Sequence, residues 1–410
     1  MAKTTLTTIE EIRKRLEKKY SGATELFPDF STAKRIEVIS TASPVINAVT
    51  GIGGIPRGRI TEIFGSFSTG KTTIAIAVAA ELQKKDPQST VLFVDYEHAF
   101  DASYAHKLGV DLNPERFIFT QPETFEQGHD AIDEFVDAGV VDLVVIDSAA
   151  AMTPQNELEG DVDASQRLGH QAQLMAKFLT RITKKLHKGK SPALLILNQT
   201  RTKIDLRNPR ATKEDAAGGN ALKFYTSIRI ELQQMHKDGD ESRDAKSSVP
   251  DQVYKRTWVR LTGVKNKLAP PFIRGKIAID FGTGINNLIS LGEMAIAKLG
   301  IMSSGGGHFL YEGKTQETTV KGRSKETFLK LLETNEALRL EIEDQVMQKM
   351  EVSGTEFLGL RDIKESVNPS VIVIESSPEE LDLESPIELN VISEGMPTKE
   401  MCNEYSNTVD

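Results

Sequence analysis

Cysteine is all but missing: Cys402 is the single one in 410 residues. That excludes an internal disulfide and any Cys-based metal site, and it fits a reducing compartment. The seven histidines show no ligand spacing. Every apolar run falls well short of the roughly 20 residues that span a bilayer, and the opening Met-Ala-Lys-Thr-Thr lacks the apolar core of a signal peptide. The expectation is a cytoplasmic protein with no membrane partner. Strong charge bias is also lacking, except at one end. Residues 351–410 hold 14 Asp/Glu against 3 Lys/Arg, net -11, which leaves residues 1–350 with 47 basic and 45 acidic side chains, net +2. The body is near neutral and the tail is a polyanion, so an acidic total does not argue against nucleic acid; such a tail would compete for a basic groove.

What is present centres on Gly65-Ser66-Phe67-Ser68-Thr69-Gly70-Lys71-Thr72-Thr73. It follows the apolar run Arg59–Phe64, opens a helical pattern to about Lys85, and fits the G-x-x-x-x-G-K-[ST] phosphate-binding loop. Glycines let the backbone wrap closely enough for its N–H groups to face phosphate oxygens, and the helix N-terminus adds positive potential. Lys71 is then placed for the β- and γ-phosphates of ATP, and the Thr72 hydroxyl for Mg²⁺. The earlier cluster Gly51–Gly58 lacks the Lys-Ser/Thr ending and reads as turns.

From Arg59 to about Gln233, strand-like runs at 60–64, 91–95, 117–120, 143–147, 193–198 and 228–232 alternate with helical stretches near 72–85, 101–108, 124–138, 165–187 and 218–225. Short, nearly all-apolar strands alternating with helices imply a mostly parallel sheet covered on both faces, an α/β fold. Ligands in such sheets sit at the carboxyl ends of strands, and the polar residues fall there. Glu97, just beyond 91–95, is positioned to take a proton from water attacking a γ-phosphate. Asp147 ends Leu143-Val-Val-Ile in the pattern that holds Mg²⁺. Gln199 ends 193–198 and is placed to sense the γ-phosphate. Beyond it runs a long loop without regular periodicity, carrying Arg201, Lys203, Arg207, Arg210 and Lys213. Five cations within thirteen residues suit a phosphate backbone, with counterion release as the gain.

At the N-terminus, Thr7-Thr-Ile-Glu10 reads as a capping box for a short helix with an Ile9, Ile12, Leu16, Tyr20 stripe. It folds back on its own chain or docks on a neighbour.

Together these residues resemble the bacterial RecA recombinase family. The carriers are GSFSTGKTT, FVDYEHAFDASYAHKLGVD, VVIDSAAAMTP, ILNQTRTKI, GGNALKFYTSIRIEL and GVKNKLAPPF, in unbroken order over about residues 35–300. The resemblance implies a RecA-type P-loop ATPase core at 35–287, a docking helix and linker at 1–34, a small α+β C-terminal domain at 288–350 and an acidic tail at 351–410. It implies that Asp101 and Tyr104 hold adenine, that Lys265 and Lys267 reach the ATP of the adjacent subunit, and that Phe224 sits at that subunit contact. The two DNA loops correspond to about 156–167 and 201–217. Their set is Arg167, Arg201, Lys203, Ile204, Arg207, Arg210, Lys213, Gly218, Gly219 and Asn220, with Ile204 as a wedge between bases. Lys298 and the stretch around Lys321–Lys330 would help recruit duplex DNA. The implied activity is a DNA-dependent ATPase that forms helical filaments on single-stranded DNA and exchanges strands with double-stranded DNA, using ATP and Mg²⁺. A self-cleaving repressor is a further candidate partner. A ring-forming helicase of the same core, or a regulatory ATP-binding DNA filament without strand exchange, are the alternatives.

The chain departs from the family pattern in places. Ser-Phe-Ser-Thr replaces the usual Pro-Glu-Ser-Ser in the phosphate loop, Arg167 stands near a usual methionine, and Phe281 replaces a tyrosine. The second loop carries extra cations and no aromatic, which predicts more salt-sensitive DNA binding.

Overall fold

The computed structural model describes residues 9–20, 36–158, 164–187, 189–203, 213–216, 219–238, 255–302 and 308–358. Helix α1 (Ile9–Lys19) comes first. Then β1 (Val38–Ile39), α2 (Pro44–Thr50) and β2 (Ile55–Pro56) lead to β3 (Ile60–Gly65). The alternating portion follows as α3 (Lys71–Lys85), β4 (Val91–Asp95), α4 (Ala102–Lys107), β5 (Phe117–Thr120), α5 (Phe125–Asp137) and β6 (Leu143–Asp147). After a 3-10 turn at Ala149–Ala151 come α6 (Gln155–Leu158), α7 (Ala164–Lys185), β7 (Ala193–Lys203), β8 (Lys213–Ala216), α8 (Gly219–Tyr225) and β9 (Ile228–Asp238). The chain continues through β10 (Arg256–Asn266), β11 (Arg274–Asp280), β12 (Gly284–Asn286), α9 (Asn287–Leu299), β13 (His308–Tyr311), β14 (Val320–Arg323), α10 (Lys325–Thr334) and α11 (Glu336–Leu358).

One large sheet runs β12-β11-β10-β9-β3-β7-β6-β4-β5. Strands β9 through β5 along that path are mutually parallel, with β3 between β7 and β9. Why these segments pair is visible in their burial. Every residue of β3, β4 and β6 is buried, and alternate side chains enter opposite cores. Val91, Phe93, Leu143, Val145, Leu195 and Leu197 join the cluster under α2 and α3, whereas Leu92, Val94, Val144, Ile146, Leu194 and Ile196 join the cluster with Phe125, Phe178 and Ile182 of α5 and α7. This is the period-2 alternation of a sheet covered on both faces, and the expected α/β architecture is present.

The strand-by-strand reading stopped at 232 and named no strand between there and the α+β domain expected at 288–350, and here it was incomplete. β10, β11 and β12 extend the sheet as antiparallel strands, with Trp258 opposite Ala278 and Val259 opposite Ile277. After β12, Asn286 caps α9 by accepting from the Ile289 amide at 3.1 Å. Phe309, Phe328, Leu332, Leu338 and Ile342 from the β13–β14 hairpin, α10 and α11 complete the cluster beneath α2 and α3.

The two expected DNA loops also need correction. β7 does not stop at Asn198; it runs on to Lys203 and pairs antiparallel with β8, placing Lys203 opposite Lys213 and Arg201 opposite Asp215 by Cα register. Thr200 and Thr202 favour extended backbone there. The first loop is narrowed by α6 and by α7, whose first turn carries Arg167. Thr7, Ile204, Arg207, Arg210, Gly218 and the tail beyond Leu358 lie outside the described residues.

Candidate nucleotide-binding site

The phosphate-binding sequence is the connection from β3 to α3. Gly65 is required at its start, since a Cβ there would lie 2.3 Å from the Leu232 carbonyl oxygen. Gly70 is required at its end. It caps α3 with φ 81°, a left-handed conformation, and its Cβ would meet Ile279 Cδ1 at 2.3 Å. Between them Thr69 Oγ1 donates to Ser66 O at 2.9 Å, and Phe67 stands 72% exposed. Lys71 is buried and turns back into the loop, its Nζ donating to Ser66 O at 2.8 Å and Gly65 O at 3.2 Å. Burial lowers its pKa against the opposing pull of Glu97 and Asp147. Next along α3, Thr72 Oγ1 donates to Asp147 Oδ2 at 2.7 Å. Burial pushes the Asp147 carboxyl up to about 6, with the Thr72 hydroxyl acting in the other direction. The phosphate-loop hydroxyl and the carboxylate expected to act with it are thus in direct contact. Both are oxygen donors of the kind a hard divalent cation takes.

Glu97 lies on the neighbouring β4–α4 connection and is exposed. Its Oε1 accepts from Gln199 Nε2 at 2.6 Å and from the Ser148 hydroxyl. The connection is tied down by Asp95. That buried carboxylate accepts from the amides of Glu97, Ala99 and Phe100 and from Gln121 Nε2, each at 3.0 Å. Gln199 is held in turn by its own amide, which donates to Asn198 Oδ1 at 2.9 Å. Lys71, Thr72, Asp147, Glu97 and Gln199 therefore meet at the carboxyl ends of β3, β4 and β6 and beside the middle of β7, where it passes β3 and turns to pair with β8. Ser148 and the anchoring function of Asp95 were missed by sequence reasoning. A carboxylate at a strand end reads the same whether it faces a ligand or the backbone.

Asp101 caps α4 by accepting from the Tyr104 amide at 3.0 Å. The Tyr104 hydroxyl is 3.3 Å from Thr73 Oγ1, which sets α4 beside the start of α3. The other predicted pair lies apart. Lys265 Nζ donates to Phe224 O at 3.1 Å and also to Lys223 O, and Lys267 Nζ donates to Phe224 O at 3.0 Å. The end of β10 thereby clasps the C-terminal carbonyls of α8, where cations are favoured. Phe224 itself is 72% exposed. Burial lowers the Lys265 pKa, aided by Lys267 and Arg229. Of the DNA candidates, Arg201, Lys203 and Lys213 lie on the β7–β8 ribbon, Gly219 opens α8, and Asn220 is exposed on it.

Among the described residues no group of three or more His, Cys, Asp or Glu is arranged to hold a metal ion unaided. No described helix is long and apolar enough to cross a membrane.

The comparisons with known proteins agree with this geometry. A family model described as the RecA N-terminal domain matches residues 7–286. Protein RecA of Chlorobaculum tepidum is 41% identical over 334 residues, covering 81% of this chain and 89% of that protein. Protein RecA of Streptomyces coelicolor is 40% identical over 323 residues, covering 78% and 79%. Protein RecA of Aquifex aeolicus is 38% identical over 345 residues, covering 83% and 92%. A family model that spans most of the chain, relatives that align over most of their own length and a phosphate loop set in this sheet lead to one conclusion: the chain belongs to the RecA family.

Proposed function

We propose that this chain is a DNA-dependent ATPase that assembles as a helical filament on single-stranded DNA and catalyses homologous pairing and strand exchange in recombination and repair. One observation carries the reading. Gln199 bonds Glu97 beside the phosphate loop, and the same strand continues without a break into the β7–β8 ribbon that bears Arg201 and Lys203. A change at the terminal phosphate is thus one strand away from the DNA candidates.

ATP is the substrate. Lys71 and the backbone amides from Gly65 to Thr73 bind its phosphates, and Asp101 and Tyr104 flank the base. Thr72 and Asp147 would hold Mg²⁺, which neutralises phosphate charge when bound. Glu97 takes the proton of the attacking water, and Ser148 and Gln199 orient its carboxylate. Gln199 Nε2 carries two N–H donors, one of them on Glu97. Drawn toward a γ-phosphate, the side chain moves the strand that bears it and with it the ribbon. Lys265 and Lys267 act on the nucleotide of the adjacent subunit, with Phe224 at that contact, so ATP sits between copies in an open, heterologous assembly. In the same reading residues 1–34 dock the chain on its neighbour, 288–350 recruit duplex DNA, and the protein works in the cytoplasm.

The test is strand exchange between circular single-stranded and linear duplex DNA, run with ATP and with a slowly hydrolysed analogue. Exchange by the unaltered protein and none by Lys71→Ala is expected. Electron microscopy with ATP and single-stranded DNA should show open helical filaments. Closed rings, or filaments without exchange, refute the reading.

A further inference from the structure

Glu62 has no part in the chemistry above, yet it is a carboxylate with 0% exposure at the centre of the strand that feeds the phosphate loop. Alone in such a place it would lose its charge or unfold the sheet. Its partners come from both neighbouring strands. Asn198 Nδ2 of β7 donates to Oε1 at 2.9 Å, and Arg229 Nε of β9 donates to Oε2. The Arg229 guanidinium also lies over the Phe64 ring, 4.5 Å from its centroid.

The row continues in both directions. On the β7 side, Asn198 Oδ1 accepts from the Gln199 amide and Gln199 Nε2 reaches Glu97. On the β9 side, Arg229 is the Cα partner of Lys265 on β10, and directly opposed residues share a face. Lys265 and Arg229 repel each other, and the Glu62 charge opposes that repulsion. A polar row therefore crosses four adjacent strands, from the γ-phosphate candidate Gln199 to the lysines at the end of β10 that bond the α8 carbonyls. A buried ion pair adds little stability over an apolar pair of the same volume, so stability does not explain its presence in this strand.

We propose that Glu62 and Arg229 are positioning residues, forming a buried ionic link that couples Gln199, at a subunit's own nucleotide, to Lys265 and Lys267, which face the nucleotide of the next. The proposal rests on the nucleotide-sharing filament described above. It accounts for how contact at one interface is felt at the other: loss of the Gln199–Glu97 bond frees Asn198 to shift against Glu62, and Arg229 moves with its partner against Lys265.

The test uses the full-length protein and its ATPase on single-stranded DNA. In Glu62→Leu/Arg229→Met the charges are removed together, so no buried charge is left unpaired, and urea unfolding is expected to stay cooperative. Affinity for ATP without DNA is expected to change less than about threefold, while kcat on DNA falls about tenfold or more. The Hill coefficient for ATP drops toward about 1. Arg229→Lys, which retains the charge but not the planar fork, is expected to recover part of the cooperativity. A folded double variant with the cooperativity of the unaltered protein overturns the link. Should the double variant not fold, Arg229→Lys decides, and undiminished cooperativity there overturns it. If the unaltered protein has no DNA-stimulated ATPase, the functional reading fails first and takes the link with it; if it has one and only the cooperativity result fails, the functional reading stands.

Discussion

Replacing Asp95 by Asn removes one charge and changes no volume, yet it should disable the site through the Glu97 connection. Asp95 accepts four hydrogen bonds, one on Oδ1 from the Glu97 amide and three on Oδ2 from Ala99, Phe100 and Gln121. An asparagine has one acceptor oxygen. If it serves the three donors, its NH₂ group confronts the Glu97 amide, donor against donor. That single unsatisfied contact costs about 1–3 kcal/mol, and the three remaining bonds weaken because a neutral acceptor is roughly half as strong as a charged one. About 3 kcal/mol in all then bears on a surface connection, and on it alone, so the connection rather than the fold gives way. At about 1.4 kcal/mol per tenfold, kcat for DNA-dependent ATP hydrolysis should fall about 100-fold. Nucleotide affinity, supplied mostly by Lys71 and Thr72, should change far less. Steady-state ATPase with saturating single-stranded DNA, together with nucleotide titration and urea unfolding, measures the three quantities. A kcat within threefold of the unaltered protein would show that Asp95 does not hold Glu97 in place.

Three further outcomes follow from the same geometry. Glu97→Gln should retain ATP binding and filament assembly while hydrolysis falls about 10²–10⁴-fold, the usual worth of a general base; turnover near the original rate in a steady-state ATPase assay would require another base. Gly70→Ala should cost about 1–2 kcal/mol from its left-handed backbone alone, beyond the contact with Ile279; adding Ile279→Ala should relieve the contact and leave the backbone cost, read from urea midpoints. His129, between α5 and α7, has its pKa lowered chiefly by burial and also by Arg181 and Lys185, with Asp133 and Asp130 opposing. The folded state therefore resists its protonation, so stability is full above the ordinary histidine value and declines as pH falls through about 6.5. Urea unfolding between neutral and mildly acid pH should show a shallower decline in His129→Gln, and parallel curves would refute the assignment.

Much of this molecule could be read in the chain because its central strands are buried on both faces and so consist of unbroken apolar runs. Val91–Asp95 and Leu143–Asp147 announce themselves, and the polar residue that ends each run points to the ligand edge. The phosphate loop is likewise contiguous, so Lys71 and Thr72 needed no third dimension. β10 resisted for the opposite reason. Arg256-Thr-Trp-Val-Arg-Leu-Thr-Gly mixes cations with apolar residues, because Trp258, Val259 and Leu261 are buried while Arg260 faces solvent. Glu62 was equally opaque. Within Ile-Thr-Glu-Ile-Phe it looks like a residue on an exposed strand face, and only Asn198 and Arg229, 136 and 167 positions away, reveal it as interior. Contacts of that separation leave no local signature.

The position of β3 has a consequence for synthesis. Its two neighbours in the sheet are β7 and β9, which leave the ribosome long after it. At about 5–20 residues per second, roughly ten to thirty seconds pass before β9 can pair with it. Until β7 emerges the nascent strand that leads into the phosphate loop is unzipped along both edges, and its β9 edge stays open for longer, exposed to wrong partners that include the same strand of a neighbouring polysome chain. Closure of the sheet on both sides of β3 must come late. A chaperone that shields nascent apolar segments should associate with ribosome-bound chains up to about residue 232 and release them once that point has emerged.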